Sequence, residues 1–196
     1  AIYFFGLVLF IIRFLIQLNG MRKLVTSNQK IDKDQYTLVL LKDNVLPFTF
    51  FKYLFVSKSQ YQTSAIEPEI LEHELAHIRQ RHSWDLFVET LKCVFWFNPL
   101  LIIYKKAIQL NHEFLADEQV LRKFENYVSY QYLLVNKVSS LFEHHPISSA
   151  FNFHVTKRRL MMMGKVSHPM RLINLKLGST IFTLFLFFTL TSSKVG

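Results

Sequence analysis

The sequence predicts a mainly α-helical domain with a small β hairpin or sheet, held between two membrane-spanning helices. Three observations predict it. Both ends are apolar runs, AIYFFGLVLFIIRFLIQL over residues 1–18 and LKLGSTIFTLFLFFTLT over residues 175–191. Residues 36–41 and 48–56 are dense in strand-forming and aromatic side chains. From Pro68 onward, helix start and stop signals follow one another closely. A chain of 196 residues that is 51% hydrophobic, with 20 Phe, cannot be a disordered or collagen-like polymer. The single cysteine, Cys93, excludes a disulfide-stapled scaffold and a cysteine-rich metal site.

The first run approaches the ~20 apolar residues that cross a hydrocarbon core, so residues 1–20 are read as a transmembrane helix interrupted by Arg13 and Gln17. A cleaved signal peptide is the competing reading, but it would carry its positive charge ahead of a shorter apolar stretch and end at small residues. The chain lacks an initiator Met and opens inside this run, so it is expected to be a fragment of a longer product. Residues 173–192 are read as a second crossing, entered at Lys176 and slightly short. Arg22 and Lys23 follow the first span, and Lys157, Arg158, Arg159, Lys165, Arg171 and Lys176 precede the second. The positive-inside rule therefore puts the intervening segment in the cytoplasm. The formal charge of +9 is concentrated beside these apolar runs, which points to anionic headgroups rather than direct nucleic-acid binding.

Residues 36–41 and 48–56, parted by a turn-like segment, predict a hairpin or small sheet. A helix starts at Pro68, with Glu69 and Glu72 in its first turn and Arg79 and Arg81 in its last, and ends near His82. A second apolar helix is expected from about residue 84 to 97. Asn98 followed by Pro99 caps a third that runs to about Phe124, and residues 127–142 form a fourth. The apolar string CVFWFNPLLIIY raises a third membrane crossing, against which Glu89, Lys92 and the Asn98-Pro99 break argue for a turn at the membrane surface or inside the protein.

The chemistry lies in His73-Glu74-Leu75-Ala76-His77. Two histidines four apart on a helix project the same way, and both rings can reach one metal ion. Glu74 then lies beside that ion as general base for a bound water. Chance alone yields such a pattern in roughly one to two per cent of shuffled chains of this composition, so context matters. A catalytic zinc ion needs a third protein ligand and an open fourth position. Glu113 and Asp117, one turn apart on the third helix, share a face with Leu110, Val120 and Leu121. Carboxylates aimed at an apolar core need a metal or a partner. Glu113 is accordingly expected to bind zinc, with Asp117 accepting the second ring N–H of a ligand histidine; a solvated acidic stripe is the bland alternative.

HELAH with the later Glu113-x-x-x-Asp117 resembles the compact membrane gluzincin peptidases, in which the glutamate of an ExxxD motif is the third zinc ligand. Within that group, HELAHIRQRHSWD, the WFNPL from Trp96, LNHEFLADEQVL from Leu110 and TKRRLMMM from Thr156 are similar to the BlaR/MecR-type family, over about residues 36–163 and the flanking apolar segments. Its best-known members are beta-lactam sensor-transducers that cleave a cytoplasmic transcriptional repressor. The resemblance implies a gluzincin-like zinc peptidase domain over residues 30–170 in a multi-pass protein of a bacterial-type inner membrane, with a protein or peptide substrate, a repressor among the candidates. It also implies that the hairpin offers an edge strand to substrate backbone. Antibiotic sensing does not transfer, because these 196 residues contain no extracellular beta-lactam-binding domain, and the further modules that related proteins carry are expected to lie outside such a fragment. A quality-control protease of the same group and a non-enzymatic transducer with an idle or structural zinc site are the other readings, and an intact Glu74 tells against the second.

The remaining chemistry-bearing residues have plainer expectations. His82 and Asp85 are either a supporting pair or a dipole-assisted helix end. His112 is expected to face away from the metal, and His144, His145, His154 and His168 lack ligand spacing. Arg159 is expected to contact headgroups, Met161–Met163 to pack or touch the membrane, and Cys93 to sit in the core.

Overall fold

The computed structural model describes residues 2–81, 85–124, 126–144 and 146–164. In chain order the elements are α1 (Ile2–Ser27), β1 (Gln29–Asp32), β2 (Thr37–Leu41), β3 (Phe48–Phe50), β4 (Tyr53–Ser57), α2 (Lys58–Gln62), α3 (Pro68–Arg79), α4 (Asp85–Val94), α5 (Pro99–Phe124), α6 (Tyr127–His144) and α7 (Pro146–Met163). The second apolar run, with Arg171, Lys176 and His168, lies outside the described residues, as do His82 and His145.

The sheet departs from a simple hairpin. Its order is β1-β2-β4-β3, with β2 and β4 parallel at the centre and antiparallel strands at both edges. The expected run over residues 48–56 breaks because Phe51 takes a left-handed φ of 53°, folding β3 back on β4. Both faces of the sheet are covered, which explains why TLVLL and YLFV are continuously apolar instead of alternating. Leu38, Leu40, Leu54 and Val56 face Leu71, Leu75 and Ile78 of α3. Val39, Leu41 and Phe55 face Met21, Leu24 and Val25, near the end of α1. The α1 helix thus extends past its apolar run and seats its polar end on the sheet, while its earlier turns bury no residue. Among the described residues it is the one helix long and apolar enough to cross a membrane.

The helical layer forms a second core. Ile70 of α3, Val120 of α5, and Tyr130 and Leu134 of α6 pack together, joined by Leu160 and Met163 of α7. The expected helix over residues 84–97 is shorter, Asp85–Val94, and α3 stops at Arg79 ahead of a left-handed Arg81. α5 begins as its cap signal requires, with Asn98 Oδ1 accepting the Leu100 N–H at 3.0 Å. The pair α4–α5 doubles back and does not form a straight crossing. The α7 helix was not foreseen, because its basic string reads in isolation as a juxtamembrane stretch.

Candidate metal centre and catalytic cleft

The α3 helix is fixed to α5 before any ligand is considered. Glu72, expected to serve the helix dipole, is instead buried, where it accepts hydrogen bonds from Arg79 and from Lys123 of α5, the latter at 2.6 Å. Burial would push its carboxyl up, but these two cations hold it below the usual range. Ala76 and Ala116, both fully buried, contribute little bulk where α3 and α5 pack, so the two helices approach closely.

That approach brings Glu113 to the two histidines. The His73 and His77 rings stand 4.8 Å apart and nearly perpendicular. Their Nε2 atoms are 3.2 Å apart, and Glu113 oxygens lie 3.4 Å from His73 Nε2 and 3.6 Å from His77 Nε2. Ligands about 2.05 Å from a tetrahedral zinc ion are separated by about 3.3 Å, close to the Nε2–Nε2 spacing, and one ligand atom from each of the three residues lies within 4.8 Å of the others. Among the described residues this is the one group of three His, Cys, Asp or Glu side chains able to converge on an ion. His112 is outside it, His154 is exposed, and Cys93 is buried away from it.

The hydrogen-bond partners on the other side of His73 assign its tautomer. Asp117 Oδ1 lies 3.2 Å from Nδ1, and the Tyr130 hydroxyl lies 2.9 Å from it. The Tyr130 proton goes to Asp117 Oδ1 at 2.8 Å, so its oxygen is left to accept from Nδ1–H. With the proton on Nδ1, the Nε2 lone pair points into the triangle of ligand atoms.

Arg159 corrects the headgroup expectation. It is buried, with Nε and Nη2 donating to the two Asp117 oxygens at 2.8 and 2.5 Å and Nη1 lying 2.8 Å from Glu113 Oε2. One guanidinium therefore ties together the Glu113 and Asp117 carboxylates. Burial alone would raise both carboxyls; the His73 hydrogen bonds and the Arg159 charge hold them well below their usual values. The signal was present in the spacing of Thr156, Arg159, Leu160 and Met163, a helical stripe whose polar members are buried.

Glu74 faces a different environment. It is buried, accepts from Thr49 Oγ1 of β3 at 3.3 Å, and has Lys137 Nζ 3.9 Å from its other oxygen. Burial pushes its carboxyl up, against the opposing charges of His73 and Lys137. Lys137, Tyr130 and Thr49 were missed from sequence, although Tyr130, Leu133, Leu134 and Lys137 form one i, i+3, i+4, i+7 face. His73, Glu74, His77, Glu113, Lys137 and Arg159 line a cleft of about 560 Å³, which Phe48, Thr49, Phe50, Glu89 and Lys105 also line. A larger cavity of about 690 Å³ lies beside it against Phe51, Ile78 and Phe87, but it has no convergent acid or base.

A family model described as BlaR1 peptidase M56 matches residues 53–163, from the first residue of β4 to the last of α7. That span holds every residue of the cluster except Thr49. No curated protein matches the chain.

Proposed function

The chain belongs to the BlaR1 peptidase family, and from that premise we propose that it is an integral membrane zinc endopeptidase that cuts a cytoplasmic regulatory protein. Membership makes it a metallopeptidase, and hence one with a protein substrate. The identity of the ion, the internal cut and the regulatory substrate are our reading. The observation that carries it is the convergence of His73, His77 and Glu113, whose histidine Nε2 atoms are 3.2 Å apart, each with a Glu113 oxygen within 3.6 Å.

Zinc bound by these three residues supplies Lewis acidity, lowering the pKa of water toward ~7 and polarising a carbonyl. The rest of the chemistry belongs to the chain. Glu74, held by Thr49 and Lys137, takes the proton of the attacking water and passes it to the leaving amine. Its raised pKa suits that exchange, because the carboxylate must release the proton as readily as it accepts it. Asp117 and Tyr130 fix the His73 ring, and Arg159 fixes Asp117. The edge strand β3 lines the cleft with one side of its backbone unpaired within the sheet, so an extended substrate can add as a further strand. Arg22 and Lys23, next to the apolar part of α1, favour a cytoplasmic domain.

The test uses detergent-purified parent, Glu74→Ala and His73→Ala chains, assayed for metal content and for cleavage of themselves and of a peptide library. About one zinc per chain in the parent and Glu74→Ala, with cleavage by the parent alone and neither property in His73→Ala, is expected. Zinc in neither of the first two, or equal cleavage by parent and Glu74→Ala, refutes the mechanism.

A further inference from the structure

We propose that residues 93–104, the turn between α4 and α5, form a re-entrant hairpin seated among the acyl chains of the bilayer beside α1. The stretch CVFWFNPLLIIY contains no charged residue. Its Phe97, Leu100, Ile103 and Tyr104 side chains are each at least 60% exposed. An apolar patch of this size in water would be costly, and α1 supplies the reason it is not in water.

The hairpin tip is fastened to the early turns of α1. Tyr3 donates to the Val94 carbonyl at 3.0 Å, the Phe10 and Trp96 rings stack at 6.0 Å, and the Cys93 thiol lies 3.7 Å from the Phe10 carbonyl. At 1.5 Å per residue, Phe10 is about 12 Å and Tyr3 about 22 Å from Leu18, where the apolar run ends. The tip therefore sits near the middle of a hydrocarbon core about 30 Å thick. Because α4 has 10 residues and spans about 15 Å, it enters and returns without crossing.

Lipid requires that backbone polar groups find partners within the protein, and part of the tip does so, although the buried Trp96 indole N–H has no partner among the described residues. The amides of Phe95, Asn98 and Leu101 donate to Leu91, Phe95 and Asn98 carbonyls at 2.8, 2.9 and 3.3 Å, and that of Leu100 to the Asn98 side chain. Of the flanking charges, Glu89 meets Lys105 at 2.6 Å and Lys92 at 3.2 Å, and Glu89 and Lys105 line the cleft, while Lys106 is exposed. Acyl chains are the occupant of the outer face because it continues the exposed apolar surface of α1, where Ile2, Phe4 and Phe5 are likewise uncovered.

This inference does not depend on zinc chemistry, and it is tested on the full chain in phosphatidylcholine–phosphatidylglycerol vesicles. With Cys93→Ser as background, Leu100→Cys and Glu118→Cys, at opposite ends of α5, are each treated with a membrane-impermeant maleimide. Labelling of Glu118→Cys, with Leu100→Cys labelled only after detergent is added, is expected. A bimane at position 100 should be quenched more by lipids spin-labelled deep in the acyl chain than near the headgroup. Independently, Trp84→Phe leaves Trp96 as the sole tryptophan, and brominated acyl chains should quench it. Equal aqueous labelling at both positions overturns the proposal. Protection of position 100 without acyl quenching overturns it too, since protein and not lipid then covers the face.

Discussion

Replacing Arg159 by methionine tests the site more sharply than replacing a ligand. The change keeps a long apolar stem on α7 and removes a cation that touches both Asp117 oxygens and Glu113. Asp117 has a side-chain exposure of 3%, so it cannot recover its solvation from water. Breaking a buried pair costs about 3–5 kcal/mol, and because Tyr130 still donates to Asp117 the lower end applies, about 3 kcal/mol. For a chain of this size, each kcal/mol moves the midpoint by roughly 2–4 °C, so Tm should fall by about 6–12 °C. The His73 ring also loses the anchor of its own partner, and zinc affinity should fall about 10–100-fold. Thermal unfolding in detergent and competition with a zinc chelator measure the two effects. Arg159→Lys restores a point charge without the planar fork and should recover only part of each. A midpoint within about 1 °C of the parent, with unchanged zinc affinity, would refute the reasoning and return Arg159 to the headgroups.

Three further outcomes are expected. Glu74 acts as a carboxylate, and burial raises its pKa above the ordinary 4.5; cleavage should therefore be present above that raised value and lost as pH falls through it. Lys137 opposes the rise, so Lys137→Met should move the acid limb of kcat/KM to higher pH in zinc-loaded protein; an unmoved or lower limb would show that Lys137 does not act on Glu74. At Gly6 a Cβ would overlap the Trp96 ring. Gly6→Val should push the hairpin off α1 at a cost of about 1–3 kcal/mol, seen as a lower Tm and altered Trp96 emission; parental values for both would deny the contact.

What was legible in the sequence was what a single element can encode. His73 and His77 share a helix face at a spacing of four, Glu113 and Asp117 do the same, and Asn98-Pro99 opens α5 as written. What was not legible depends on partners far along the chain. Tyr130 meets His73 across 57 positions and Arg159 meets Asp117 across 42, and an arginine reads as exposed until its buried carboxylates are known. The sheet eluded the same reasoning, since TLVLL and YLFVS look alike whether they pair in parallel or as a hairpin. The break between β3 and β4 rests on the backbone of Phe51, which no composition rule marks.

The tie between α7 and the ligand layer also orders events in time. Synthesis delivers His73 and His77 first, Glu113 and Asp117 next, and Arg159 after both. A nascent chain halted before α7 already carries every proposed ligand, yet its Asp117 has no guanidinium to meet and its second core lacks Leu160 and Met163. Such an intermediate has the right atoms without the framework that aims them. On the proposed reading the ligand framework is therefore complete only once α7 has docked.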